Sequence, residues 1–114
     1  MKGVYFMQSL MLCVTYTAKP GMRETFIKEV YSSGILDKIH HENGCLEYGY
    51  YLSVENEDDI LLVEKWETEE QQQIHLKQPH MEVLKSIKER YVSNVRLEKG
   101  YYPLQPLAKI HTAL

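Results

Sequence analysis

The stretch 64–81, EKWETEEQQQIHLKQPHM, holds the only tryptophan of the chain, Trp66, and two of its five histidines, His75 and His80. Imidazoles near carboxylates can ligate a metal, move protons or simply pack, and spacing helps to separate these uses. On a continuous helix, residues five apart point roughly 140° away from each other, whereas a helical metal pair uses a spacing of three or four. Pro79 stands between the two and can re-aim His80, but the neighbouring Glu69, Glu70 and Glu82 are ordinary acids of a helix surface. A metal site therefore ranks last. His40 and His41 fall in the last turn of the first predicted helix, where a cation complements the helix dipole. Cys13 and Cys45 lie in apolar, strand-like segments without a CxxC spacing, which suits reduced, buried thiols. Nucleophilic catalysis has no signature here: there is no Gly-x-Ser-x-Gly elbow, and neither cysteine has a histidine or cationic cluster beside it. The six glycines are scattered, so no phosphate loop or dinucleotide fingerprint forms.

The elements that must position these residues follow from periodicity. Residues 9–18 alternate as a strand, with Leu10, Leu12, Val14 and Tyr16 on one face and Met11, Cys13, Thr15 and Thr17 on the other. After the Lys19-Pro20-Gly21 break, Met22, Phe26, Ile27, Val30 and Ile39 give a helix stripe, bent at Ser32-Ser33-Gly34 and stopped at Glu42-Asn43-Gly44. Residues 45–54, with Tyr48, Tyr50 and Tyr51, read as a second strand, and residues 60–67 as a third joined to it by a polar turn. Thr68 and Gln71 form a capping-box pattern that starts a helix directly after Trp66. Pro79 interrupts that helix. A second piece follows from His80, with Met81, Leu84, Ile87 and Tyr91 on one face and Arg90 and several lysines on the other. Residues 92–102 form a fourth strand, ended by Pro103 and Pro106.

The order β-α-β-β-α-β in 114 residues predicts an α+β, ferredoxin-like fold: a four-stranded antiparallel sheet with two helical segments on one face. The expected organisation is an N-terminal extension (1–8), one domain (9–102) and a C-terminal arm (103–114) of the kind that wraps a partner subunit. Both faces of the first and third strands are apolar, so the uncovered face is expected to meet a second copy of the chain. A net charge of -3 makes nucleic acid and anionic membranes poor partners. No apolar run approaches the ~20 residues of a membrane span, and the first residues lack a signal-peptide core, so the cytoplasm is the expected location. Between the tryptophan strand, the His75 helix and the tyrosine-rich strand, two readings stand side by side. One is an aromatic cavity for a flat phenolic or quinonoid ligand, with a neutral imidazole as proton acceptor. The other is that Trp66 is core and His75 a helix residue bonded to backbone.

The run Val63-Glu64-Lys65-Trp66-Glu67, then His75-Leu76 and Pro79-His80-Met81, preceded by Glu42-Asn43-Gly44-Cys45, resembles the antibiotic biosynthesis monooxygenase (ABM) family, including its quinol monooxygenase branch. The likeness runs roughly from Met11 to Tyr102. It implies a dimeric α+β barrel and oxygenation of a quinol or related phenol by O2 directly, without metal, flavin or haem. On this resemblance Trp66 and His75 are the expected catalytic residues, the first shaping the pocket and the second accepting the proton. Tyr48, Tyr50 and His80 are the expected substrate contacts. Leu62 stands where the anthrone-oxidising branch has asparagine, which counts against an anthrone. Val14 stands near the first-strand asparagine of haem-degrading relatives, which ranks haem degradation low. The resemblance leaves two alternatives: isomerisation of a phosphorylated signalling sugar, and a non-catalytic small-molecule-binding dimer.

Overall fold

A computed structural model describes residues 8–103. The elements run β1 (Gln8–Ala18), α1 (Arg23–Ser32), α2 (Ile35–His40), β2 (Cys45–Leu52), β3 (Asp59–Trp66), α3 (Glu69–Leu76), α4 (Met81–Tyr91) and β4 (Val92–Pro103). The strands form one antiparallel sheet in the order β2-β3-β1-β4, which is the ferredoxin-like arrangement expected from the sequence. Central β1 is paired on both sides, with Leu10 opposite Trp66 on β3 and opposite Tyr101 on β4.

Alternation in the strands decides what the sheet buries. Leu10, Leu12, Val14, Tyr16 and Ala18 of β1 join Ile60, Leu62 and Trp66 of β3 in the core beneath the helices, with Phe26, Val30, Ile35, Ile39, Leu84 and Ile87 above them. The other face carries Met11, Cys13, Leu61 and Val63, each only half-buried. Glu64 shares the inner face with Leu62 and Trp66, two positions from each, and is buried with them.

Three details depart from the sequence reading. The bend at Ser32-Ser33-Gly34 is a full break into two helices, because Gly34 sits at φ 78°, a left-handed conformation that an L side chain adopts only at a cost. Strand β2 ends at Leu52, two residues early, and Val54 is fully exposed in the turn. The capping box is half-made: Thr68 Oγ1 accepts the Gln71 N–H at 3.2 Å, but the Gln71 amide lies against Gly44 instead of returning to Thr68, and its Oε1 is buried without a partner among the described residues. The break between α3 and α4 falls at Pro79, which lacks a donor and disfavours helix at the residue before it. The N-terminal extension up to residue 7 and the arm from residue 104 lie outside the described residues. No helix among those described is long and apolar enough to cross a membrane.

Candidate functional site

Strand β3 delivers two side chains to the inner face at its end. The Trp66 indole Nε1–H donates to Glu64 Oε1 at 3.1 Å, a contact that the two-residue repeat of a strand makes possible. Helix α3 begins three residues beyond Trp66, so its second turn comes back over the sheet and lays His75 on the indole, ring centroids 4.7 Å apart and planes 38° apart. Tyr48 of β2 approaches the same imidazole at 5.6 Å, Tyr50 approaches Tyr48 at 6.2 Å, and Phe26 and Tyr16 continue the aromatic series. Among the described residues the Tyr50 hydroxyl is buried without a hydrogen-bond partner. Burial pushes the phenols of Tyr48 and Tyr50 well above their ordinary range, so both stay neutral.

His75 and His80 meet on Glu42, which the sequence reading named within a helix stop and the family motif but gave no role. Glu42, in the turn after α2, receives His75 Nδ1 at 3.0 and 3.1 Å and His80 Nε2 at 2.8 Å. A carboxylate only accepts, so both ring nitrogens facing it carry their protons. The Pro79 break re-aims His80 and defeats the 140° divergence of a continuous helix. Among the described residues no group of three or more His, Cys, Asp or Glu side chains is arranged to hold a metal ion. The Cys45 thiol, near this cluster, is pushed up to about 11 by burial, with Glu42 and Glu64 adding to the effect.

The rings expected to wall a cavity fill the space themselves. Trp66 is 0% exposed, His75 1% and Tyr48 4%, so these three rings pack on one another and present almost no surface to a ligand, while Tyr50 and His80 are partly covered. Open space lies two residues back along β3, beside Glu64. A groove of about 610 Å³ runs between the sheet and helices α3 and α4, with Leu12, Val14 and Tyr16 of β1 and Leu97 of β4 as its apolar surface. Glu64, Gln72 and Lys88 are its deeper polar groups. A second hollow, about 680 Å³, lies outside α2 and α3 and is polar; it reaches the buried cluster only through Glu42.

Burial holds the Glu64 carboxyl above the usual carboxylate range, opposed by the Trp66 hydrogen bond and by His75 and Lys88. Burial conversely lowers the Lys88 ammonium, opposed by Glu64. A carboxyl raised in this way and facing an apolar groove is equipped to exchange a proton with a bound phenol. The sequence carried a signal for Glu64, since period two places it with Ile60, Leu62 and Trp66. Glu42 stood in the quoted family motif, but nothing local gave it a partner, because the contacts to His75 and His80 span 33 and 38 residues.

Comparisons with known proteins agree with this architecture. Protein PA3566 from Pseudomonas aeruginosa superposes with a TM-score of 0.74 at 22% identity, covering 87% of this chain and 98% of that one. Protein SO0527 from Shewanella oneidensis gives 0.74 at 17% identity, covering 87% and 95%. A Nitrosomonas europaea protein provisionally named an antibiotic biosynthesis monooxygenase gives 0.71 at 13% identity, covering 90% and 95%. At such identities the likeness speaks to the fold alone. A search of curated proteins returns no match. The sequence profile described as antibiotic biosynthesis monooxygenase matches residues 9–85, from the start of β1 into α4, and takes in both Trp66 and the His75–His80 segment. With two thirds of its length inside that profile and the ferredoxin-like sheet to match, the chain belongs to the antibiotic biosynthesis monooxygenase family.

Proposed function

We propose that this protein is a cytoplasmic, cofactor-independent monooxygenase that oxidises a quinol or similar phenolic aromatic with O2 in the groove between its sheet and helices α3 and α4. The observation that carries this reading is the buried Glu64 carboxyl, held by the Trp66 N–H and lining a groove of about 610 Å³ with a largely apolar surface. A phenol bound on Leu12, Val14 and Tyr16 passes its proton to Glu64, and the electron-rich anion reacts with O2. One oxygen atom enters the ring and the other leaves as water, so a quinol gives a hydroxyquinone and four electrons are accounted for. Trp66 orients the Glu64 oxygen. His75, fixed by Glu42 and stacked on the indole, keeps Trp66 in place, and its proton-accepting role passes to Glu64, which faces the groove. Tyr48 and Tyr50 back the imidazole, and His80 completes the Glu42 contact.

The working assembly is a homodimer joined through the sheet face that bears Met11, Cys13, Leu61 and Val63, the apolar surface that this chain leaves half-covered. Light scattering at micromolar concentration is expected to give twice the chain mass, and a monomeric mass overturns the dimer. For the reaction, O2 uptake with a panel of naphthoquinols is expected to exceed spontaneous oxidation and to fall at least about a hundredfold in Glu64→Gln, the lower end of the usual 10²–10⁴-fold contribution of a general base. Uptake no faster than background across the panel defeats the redox reading.

A further inference from the structure

Lys88 faces the same groove and has no part in the scheme above. It follows Leu84 and Ile87, the buried residues of α4, so its stem runs beside the buried stripe, and it lines the groove together with Glu64 from the sheet. Its ammonium lies 5.7 Å from the centroid of the Tyr16 ring. Two lysines of the described residues are held by carboxylates, Lys65 by Glu47 at 3.4 Å and Lys99 by Glu69, whereas Lys88 is set apart by its partial burial in the groove. Lys88 has no carboxylate within 4.0 Å among those residues. A half-buried cation and a buried carboxyl thus share one groove without touching, and an apolar surface lies between the strands and helix that carry them.

We infer that Lys88 is the oxyanion-binding group of this groove, and that the ligand is an acidic phenol held as its anion, oxygen against the Lys88 ammonium and ring beside Tyr16. The inference deepens the monooxygenase reading and rests on it for the class of ligand. The proton balance is simple: the phenol O–H breaks, its proton goes to the Glu64 carboxylate, and Lys88 keeps all of its own. The phenolate then pairs with a cation that was already in place, so the charge formed in an apolar site needs no reorganisation of water. Burial supports the same assignment, because a lysine held below its ordinary range gains most from an arriving anion. The other charged groups at the groove, Lys85 and Glu89 of α4, are exposed and therefore screened by salt.

Para-nitrophenol tests this without oxygen chemistry, because its anion is coloured and its ring cannot follow the quinol reaction. Titrated on the intact protein, the bound dye is expected to ionise about one pH unit lower than free dye, the smaller end of what a nearby opposite charge produces. Lys88→Met is expected to abolish that drop, Lys88→Arg to keep most of it, and Lys85→Met to change it little. Circular dichroism confirms that each variant is folded. Equal ionisation of the dye bound to wild type and to Lys88→Met overturns the inference, as does failure of wild type to bind the dye. Failure of the redox reading shows elsewhere, as absent quinol-dependent O2 uptake with the dye titration intact.

Discussion

Replacing Glu42 and His75 singly and together measures what fixes the buried imidazole against Trp66. The informative pair is Glu42→Leu and His75→Phe, because phenylalanine keeps a ring on the indole while deleting the donor to the carboxylate. His75 is 1% exposed and the Glu42 side chain 10%, and their contacts are 3.0 and 3.1 Å, so solvent screens the interaction weakly. A hydrogen bond to a charged group in such a setting is worth about 1.5–3 kcal/mol, against less than about 1 kcal/mol for an exposed ion pair. Each single substitution also strands a buried polar group, whereas the double leaves an apolar pair in its place. Each single variant is therefore expected to lose about 2–3 kcal/mol, and the double little more than either, a coupling energy of about 2 kcal/mol. For a domain of this size the single losses correspond to a fall in Tm of about 10–20 °C. Urea unfolding followed by far-UV circular dichroism, at one fixed protein concentration, supplies the four free energies. His80, 18% exposed, provides an internal comparison, and its cycle with Glu42 is expected to give the smaller coupling. A Glu42–His75 coupling below about 0.5 kcal/mol is what independent sites show, and it refutes the view that Glu42 anchors the imidazole.

Two further outcomes follow from the same geometry. Glu64→Gln keeps an oxygen for the Trp66 N–H but cannot ionise. Since burial raises the wild-type carboxyl above 4.5, the native state binds the proton more tightly than the unfolded chain, and wild-type stability falls as pH rises from there through the raised value. The variant is expected to lack that fall and to overtake wild type toward neutral pH in urea titrations; parallel pH curves for the two proteins contradict a buried, costly carboxylate. Gly44→Ala is expected to cost at least about 1–2 kcal/mol in the same assay, because Gly44 has φ 82° and an added Cβ would lie 1.9 Å from Gln71 Oε1. A neutral result there shows that the Gln71 amide is free to move away.

The sheet was largely legible because its information is local. The alternation of residues 9–18, the Thr68 cap and the Pro79 break each work within a few residues, and each element formed where its own signal lay. Parts of the site were harder for two separate physical reasons. Glu64 sits in a charged run, Glu64-Lys65-Trp66-Glu67, where composition reads as surface although its parity places it inside. Lys88 falls on the polar arc of α4, and only the position of the helix beside β4 and the groove shows that its stem is partly covered. Glu42 became important through tertiary docking, which no periodicity encodes. Conversely, Trp66, His75 and Tyr48 were grouped correctly as neighbours, but residue type could not say whether large rings would surround a space or occupy it.

Helix α3 buries Gln72 and His75 and leaves its own aliphatic residues, Ile74 and Leu76, about half exposed. It is thus moored by polar contacts: Glu42 to His75, Thr68 to its first turn, and Lys99 and Tyr101 of β4 to Glu69. Little oil holds it down. Its amides are therefore expected to exchange through a local opening, ahead of those of β1 and β3, which are paired within the sheet. On that expectation water reaches the interior around Trp66 on the rhythm of one short helix lifting, and α3 amides that exchange no faster than those of β1 refute it.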